Sequence, residues 1–184
     1  GRYLGEIEGI LAKREMPREL ASLIFVESMF NPHAHSSANA FGIWQFMHNS
    51  ALHYNLQINH LVDERADPIK STQAAADLLA DNYQTLKTWP LAINAYNAGK
   101  GRMGQAVQQL GTRDIGKIVR HFKHRRYGFA SRNFFPSFLA AFQTIENRKN
   151  YFGYLEYDEP LQYDIIKLHY HILVPEVAAE SAIA

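Results

Sequence analysis

Glu27 is the residue of this sequence whose position most strongly suggests chemistry, because it falls within an apolar stripe. Pro17 suits the first turn of a helix, where its missing N–H costs nothing, so the sequence predicts that a helix begins there. Leu20, Leu23 and Ile24 stand seven, four and three residues before the glutamate. This spacing defines one face of a helix and places the Glu27 carboxyl on the side that packs against the core.

Burial disfavours the charged form of a carboxyl group and therefore raises its pKa. No lysine or arginine stands three or four residues from Glu27 to lower that pKa again: the neighbours at these offsets are Leu23, Ile24, Phe30 and Asn31. A carboxyl that stays protonated near neutral pH is a candidate general acid. Spacing alone leaves two other interpretations open, namely a structural glutamate paired with a distant basic side chain and a glutamate exposed at a frayed helix end.

Three short motifs in order along the chain connect Glu27 with a known family. They read ESMFNP from residue 27, AFGIWQFM from residue 40 and NAYNAG from residue 94, and Ser36 lies between the first two. Together they resemble the signature of the soluble and membrane-bound lytic murein transglycosylases, glycoside hydrolase family 23. The segment DERADPIKSTQAAADLL from Asp63 is most similar to the D branch of the membrane-bound enzymes. The resemblance extends over residues 5–150.

This resemblance implies an all-α, lysozyme-like fold and an enzyme that acts on the glycan strands of peptidoglycan. The expected reaction is non-hydrolytic cleavage of the β-1,4 bond between N-acetylmuramic acid and N-acetylglucosamine. Glu27 would protonate the leaving oxygen and then act as a base on the muramic acid 6-hydroxyl, which closes a 1,6-anhydro ring. No cofactor or metal is required. A goose-type lysozyme, which is a hydrolase of the same fold, and a catalytically silent glycan-binding module are the alternatives.

The resemblance also implies a set of substrate contacts. The expected substrate-binding residues are Ser28, Ser36, Gln45, Met47, Tyr96 and Asn97. Tyr96 would orient the reacting sugar or the acid, although spacing alone favours a core aromatic residue. Gln45 and Asn97 would hold N-acetyl and hydroxyl groups, whereas Ser36 and Met47 would contact the muramic acid and a sugar ring, respectively. Ser28 is expected to support the motif loop rather than to act as a nucleophile.

Two positions depart from the family pattern. Ala130 stands where some branches carry a second glutamate, and His48 stands where a proline is usual. Ordinary glycosidases need two carboxyl groups, yet no other carboxyl lies between Glu27 and Asp63. The acids that follow are expected to cap a helix or to be solvated charges: Asp63, Glu64, Asp67, Asp77 and Asp81. With one suitable carboxyl, the substrate has to supply the nucleophile itself.

Composition narrows the remaining function classes. The 184 residues are 47% hydrophobic and 20% charged with a net charge of +1, which fits one soluble globular domain and argues against a nucleic acid binder that acts by charge alone. Without cysteine there is neither a disulfide nor thiol chemistry. No apolar run approaches the roughly 20 residues that span a bilayer. We expect a monomer in the periplasm of the bacterial cell envelope, with any outer-membrane anchor outside this sequence.

The rest of the sequence suggests a series of helices. Amphipathic spacing and helix breakers predict helices over residues 2–13, 17–31, 40–54, 69–86, 89–98, 101–110, 112–120 and 131–146. Asp67 and Pro68 are a favourable N-cap and first residue for the helix that follows them. Gly99 is a favourable C-cap.

The last part of the chain differs in character. Residues 161–174 are the one β-like run, partly alternating and β-branched, and Pro175 is expected to open a short terminal helix. We therefore divide the chain into a catalytic domain, residues 1–153, and a C-terminal extension or strap, residues 154–184.

Three weaker patterns favour structural interpretations. Residues 99–104 match the dinucleotide fingerprint G-x-G-x-x-G, but they follow a helix and lack a surrounding βαβ unit, so a helix cap and turn is the better interpretation. His33 and His35 lack the further ligands of a metal site, which favours a solvated loop. The basic run 117–126 suits a surface helix, or a patch that attracts the carboxylates of murein peptides, better than a nucleic acid site.

Overall fold

The computed structural model describes residues 2–159, which form helices joined by short loops. The α-helices are α1 (Leu4–Lys13), α2 (Leu23–Glu27), α3 (His48–His53), α4 (Pro68–Leu86), α5 (Trp89–Ala98), α6 (Lys100–Leu110), α7 (Ile115–His121), α8 (Phe129–Glu146) and α9 (Arg148–Phe152). Two 3-10 turns, Arg18–Ser22 and Glu64–Ala66, precede α2 and α4. Isolated bridges are the only β-structure in the described part of the chain, so the all-α expectation is confirmed.

The β-like run 161–174 and the helix expected at Pro175 lie outside the described residues. The division into a catalytic domain and an extension after Gly153 stays a prediction.

Several helix boundaries follow from local sequence, as expected. The Asp67 side chain accepts hydrogen bonds from the backbone N–H groups of Ile69 (2.8 Å) and Lys70 (3.0 Å) at the start of α4. These bonds satisfy donors that have no partner within the helix. Gly99 separates α5 from α6 at φ 87°, a left-handed value that favours glycine.

The helix expected over residues 17–31 is shorter than predicted. It begins as a 3-10 turn and continues as α2, which ends at Glu27. Met29 and Phe30 then adopt φ values of 52° and 62°, a conformation that costs of order 1 kcal/mol or more for such residues. The Phe30 ring packs edge-on against Phe25 with centroids 4.7 Å apart, and this contact offsets part of the cost. Glu27 is therefore the last residue of its helix.

The helix predicted over residues 40–54 is wrong in its first half. Residues 40–47 form a tight loop with bridges between Phe41 and Phe46 and between His35 and Phe41, and the helix starts at His48. The cause lies at Arg65, whose Nη1 donates to the carbonyls of Asn39 (3.0 Å) and Phe46 (3.1 Å).

Gly42 explains why the same loop can pack so closely. Its φ is 81°, and a Cβ atom at this position would overlap the Arg65 carbonyl oxygen. Only glycine combines the left-handed conformation with this close backbone approach. The loop, residues 34–47, is thus fixed by contacts with a residue far along the chain.

Two apolar clusters hold the helices together. The larger one lies between α1, α2, α4 and α8 and includes the buried side chains of Leu11, Ile24 and Trp44. The smaller one joins α5, α6 and α7. Helix α5 contributes Ile93 to the first and Leu91 to the second. Because α5 is shared, both clusters hold it in place, and Ala95 and Ala98 of the smaller cluster bury its C-terminal half.

Candidate active site

Glu27 occupies a half-buried position at the end of α2. Burial raises the pKa of its carboxyl to about 8, because removal from water disfavours the charged form. Among residues 2–159, no hydrogen bond or ion pair is made with this carboxyl. At neutral pH the group is therefore predominantly a neutral acid, which is the state that a general acid requires.

The five acids that follow Glu27 in the sequence, from Asp63 to Asp81, are engaged elsewhere. Asp63 pairs with Arg65 (2.6 Å), Glu64 with Lys70, and Asp77 with Arg14, while Asp67 caps α4 and Asp81 pairs with Lys100. Hydrogen bonds from Arg65 and Lys100 lower the pKa values of Asp63 and Asp81, respectively. These acids act as structural anions. Ala130, at the position where some branches carry a second glutamate, is exposed.

Tyr96 is held in one position on α5. Its hydroxyl donates to the Trp44 carbonyl oxygen (2.8 Å), and its ring lies parallel to that of Phe134, 5° between planes with centroids 6.4 Å apart. Burial and then the charge of Glu27 raise its pKa well above the usual value. Because the hydroxyl proton is donated to the Trp44 carbonyl oxygen, the Tyr96 oxygen itself can still accept a hydrogen bond.

Gln45 fixes the loop and leaves one polar atom unused. Its Nε2 donates to the carbonyls of Ala34 (2.9 Å) and Gly42 (2.8 Å), which accounts for both of its amide hydrogens. The backbone accommodates this arrangement with a φ of 50°. Oε1 is then the atom with which Gln45 can accept a hydrogen bond from a ligand.

Ser28 and Ser36 both form hydrogen bonds with backbone groups of the loop. The Ser28 Oγ donates to the Ile43 carbonyl oxygen (2.8 Å), which attaches the end of α2 to the loop. The Ser36 Oγ accepts from the backbone N–H of Ala40 (3.0 Å) and closes a turn. Both contacts are those of residues that hold a loop in shape.

Met47 and Asn97 are more open. Met47 has 45% of its surface exposed, so it is available to pack against a ligand. Asn97 is exposed, and its Oδ1 accepts from the Ser131 hydroxyl (2.9 Å) at the start of α8. The structure therefore joins Ser28, Gln45 and Tyr96 through the loop, whereas Asn97 is joined to α8.

Some residues that position the site were not singled out by the sequence reasoning. Arg65 anchors the loop, and Thr72 accepts from the indole N–H of the buried Trp44 (2.8 Å). Asn94, although part of the third motif, is fully buried and donates to the Tyr127 hydroxyl (3.0 Å). In the sequence, each of these residues stands out only as a polar side chain within an apolar or acidic segment. That signal could not identify their roles, because the partner residues lie far away in sequence.

The weaker patterns take ordinary places in the fold. Gly99 caps both α5 and α6, as the structural interpretation predicts, whereas residues 100–104 are the first part of α6 and form no turn. The His35 ring packs on Phe41, and residues 2–159 contain no group of three or more side chains that could hold a metal ion. None of the helices in this range is both long and apolar enough to cross a bilayer.

Comparison with known proteins gives the class of the fold first. The structure matches the 70 kDa soluble lytic transglycosylase of Escherichia coli with a TM-score of 0.62 at 21% identity, over 77% of this chain and 24% of that one. A likeness at this identity establishes the lysozyme-like fold. Residues 6–119 also match the family model described as the transglycosylase SLT domain. The chain belongs to this family.

Other relatives are more similar to this chain in sequence. The membrane-bound lytic murein transglycosylase D proteins of Escherichia coli strains K12 and O6:H1 are each 36% identical over 150 residues, which is 81% of this chain and 32% of theirs. A protein of Alteromonas sp. (strain M-1) named for tributyltin chloride resistance is 36% identical over 109 residues, or 59% of this chain and 53% of that one. The chain thus spans about a third of the length of the murein transglycosylases that it resembles.

Proposed function

We propose that this chain is a peptidoglycan lytic transglycosylase with Glu27 as its one catalytic carboxyl. The observation that carries the proposal is the raised pKa of Glu27, about 8, at a position where residues 2–159 supply no counter-ion. Family membership supports the reaction class. The site supports a single-acid mechanism.

Glu27 acts first as an acid. Below pH 8 its carboxyl carries a proton, which it gives to the glycosidic oxygen between N-acetylmuramic acid and N-acetylglucosamine. The resulting carboxylate then removes the proton from the muramic acid 6-hydroxyl. That oxygen attacks C1 of the same sugar, the bond to N-acetylglucosamine breaks, and a 1,6-anhydro ring forms without consuming water.

An intramolecular nucleophile explains why one carboxyl is sufficient. Glycosidases that use water or an enzyme nucleophile need a second carboxyl, about 5–5.5 Å or about 6.5–9.5 Å from the first. A hydroxyl of the same sugar is already close to C1, which gives it a high effective concentration. The muramic acid N-acetyl group can stabilise C1 during the reaction, as in substrate-assisted glycosidases.

The loop and α5 supply the substrate contacts in this proposal. The free Gln45 Oε1 accepts from an N-acetyl N–H or a sugar hydroxyl, and the Tyr96 oxygen accepts from the reacting sugar. Asn97 can donate through its amide, since its Oδ1 is occupied by Ser131. Met47 offers an apolar surface to a sugar ring, while Ser28 and Ser36 maintain the shape of the loop.

The substrate class implies the place of action. Peptidoglycan strands lie in the bacterial cell envelope, and the named Escherichia coli relatives are described as membrane-bound. We infer that this domain works as a monomer in the periplasm.

Incubation with purified peptidoglycan tests whether the chain is an enzyme at all. The amount of soluble glycan fragments should increase with incubation time and exceed the amount of protein present, because an enzyme turns over many times. A glycan-binding module would instead sediment with insoluble peptidoglycan and release nothing, and this result would overturn the proposal.

A further inference from the structure

Basic charge is concentrated in one part of the molecule. The whole chain has a net charge of +1, yet residues 82–145 contain ten lysines and arginines and a single acid, Asp114. Asp114 caps α7 by accepting from the backbone N–H of Lys117 (3.0 Å). Among the described residues, Arg102 and the cations of residues 117–126 form no ion pair.

Part of this charge surrounds an open pocket of about 350 Å³, here named the cationic pocket. It is lined by Arg102, Gln105, His124, Arg125 and Arg126. The first two belong to α6, and the other three to the loop between α7 and α8. Two elements that are separate in sequence therefore bring their basic side chains to one place.

The loop that carries these cations is held in shape by buried contacts. Arg132 donates to the carbonyls of Val119 (3.0 Å), Phe122 (2.9 Å) and Tyr127 (3.3 Å). The Phe122 and Tyr127 side chains are almost fully buried, and Asn94 donates to the Tyr127 hydroxyl. The backbone that carries these basic side chains is consequently fixed.

The pocket presents hydrogen bond donors that lack acceptors. The His124 Nδ1 accepts from the Arg126 backbone N–H (3.0 Å), so its Nε2 carries the ring proton and can donate. Arg102 uses Nη1 to donate to the Ala98 carbonyl, while its buried Nε has no partner. Guanidinium groups keep their charge at any relevant pH and fit carboxylates in a bidentate manner. Like charges held this close favour an anionic ligand over water alone.

We propose that the cationic pocket binds the carboxylates of the short peptides that peptidoglycan carries on muramic acid. This inference rests on the proposed function for the choice of ligand. Its position supports that choice, since Arg102 is bonded to Ala98, the residue after Asn97, and Asn97 is bonded to Ser131 in the first turn of α8. The pocket is thus connected to the end of α5 that carries Asn97, one of the candidate substrate contacts, and a peptide attached to a sugar bound there would extend toward the pocket.

Binding of a defined peptide tests the pocket without requiring catalysis. A short peptide with two free carboxylates, and the same peptide with both converted to amides, are titrated against the protein at low salt. The wild type should bind the carboxylate form, and Arg125→Gln with Arg126→Gln should weaken this binding about tenfold or more, the effect of losing charged hydrogen bonds. The matched control, Lys117→Gln with Lys123→Gln, removes the same charge from exposed positions outside the pocket and should bind as the wild type does.

Digestion kinetics then connect the pocket with the substrate. Peptide-bearing strands should show a KM several-fold lower than strands stripped of their peptides by an amidase, and the Arg125/Arg126 variant should lose this difference without a change in kcat.

A wild type that binds the peptide but cleaves neither substrate would refute the proposed function and leave the pocket intact. Equal losses in both double variants would show diffuse attraction and overturn the site. Tighter binding of inorganic phosphate or of anionic phospholipid vesicles than of the peptide would overturn the choice of ligand.

Discussion

Glu27 and Asp81 each lie near a tyrosine side chain, and their surroundings give the two carboxyl groups opposite protonation. Glu27 lies near Tyr96 without a counter-ion in the described chain, and burial raises its pKa to about 8. Asp81 accepts from the Tyr54 hydroxyl (3.1 Å) and pairs with Lys100, whose hydrogen bond lowers the pKa of Asp81. The comparison shows that Asp81 is held as an anion by its cation, whereas Glu27, buried without one, keeps its proton.

Substitution of the two carboxyls by their amides should have very different effects on activity. Glu27→Gln removes the transferable proton while keeping nearly the same shape, so turnover should fall by roughly 10²- to 10⁴-fold or more. Asp81→Asn, the matched control, should retain most of the activity. Release of soluble fragments from peptidoglycan measures both, with circular dichroism to verify folding. A folded Glu27→Gln variant with wild-type turnover would contradict the assignment.

The same Glu27→Gln variant should be more stable than the wild type near neutral pH. The folded-state pKa of about 8 exceeds the ordinary value of 4.5, so between these pH values the unfolded chain has released a proton that the folded chain still holds. The stability of the wild type therefore decreases as pH rises from 4.5 to 8. Thermal or urea unfolding should show a gain of roughly 1–3 kcal/mol for the variant at pH 7 that disappears at pH 4. A gain that is independent of pH would mean that Glu27 is not held neutral by the fold.

Removal of a tyrosine hydroxyl distinguishes the two regions in another way. Tyr96→Phe deletes the bond to Trp44 and the acceptor near Glu27, so we expect stability to fall by about 0.5–1.5 kcal/mol and turnover to fall as well. Tyr54→Phe should lower stability while it preserves turnover, since its hydroxyl is bonded to Asp81. Unchanged turnover in Tyr96→Phe would return Tyr96 to the role of a core aromatic residue.

The smallest effect on stability is expected for substitution of Lys100, which pairs with Asp81. Lys100→Gln removes a partly exposed ion pair, which is worth about 0.2–1 kcal/mol. Because pairing lowers the folded-state pKa of Asp81, its contribution is present above the ordinary pKa of 3.8 and is lost as pH falls through the folded-state value. The loss of unfolding free energy caused by Lys100→Gln should therefore be larger at pH 7 than at pH 2. A loss that is equally large at pH 2 would point to packing by the lysine stem instead.

Local spacing was sufficient to predict much of this arrangement. The start of α4 at Asp67 and Pro68 and the end of α5 at Gly99 follow from residues adjacent in sequence, because caps act within one helical turn. The placement of Glu27 in an apolar stripe is of the same kind, since Leu20, Leu23 and Ile24 are all buried.

The shape of the loop between α2 and α3 could not be predicted in this way. Its turn geometry depends on hydrogen bonds from Arg65, which is more than a dozen residues further along the chain, and on close contact at Gly42. A helix-like pattern of apolar residues over 40–47 was therefore misleading. The overall charge misled similarly, because a net value of +1 averages a basic segment with an acidic remainder.

The chemical form of the cleaved ends tests the central claim most directly. If Glu27 is the one catalytic carboxyl and the muramic acid 6-hydroxyl is the nucleophile, every new muramic acid end should be a 1,6-anhydro ring. Mass spectrometry should then show fragments one water lighter than hydrolysis products, and treatment with borohydride should leave them unchanged because they lack a reducible aldehyde. Fully hydrated, reducible muramic acid ends as the main product would make the chain a lysozyme and contradict the single-carboxyl account.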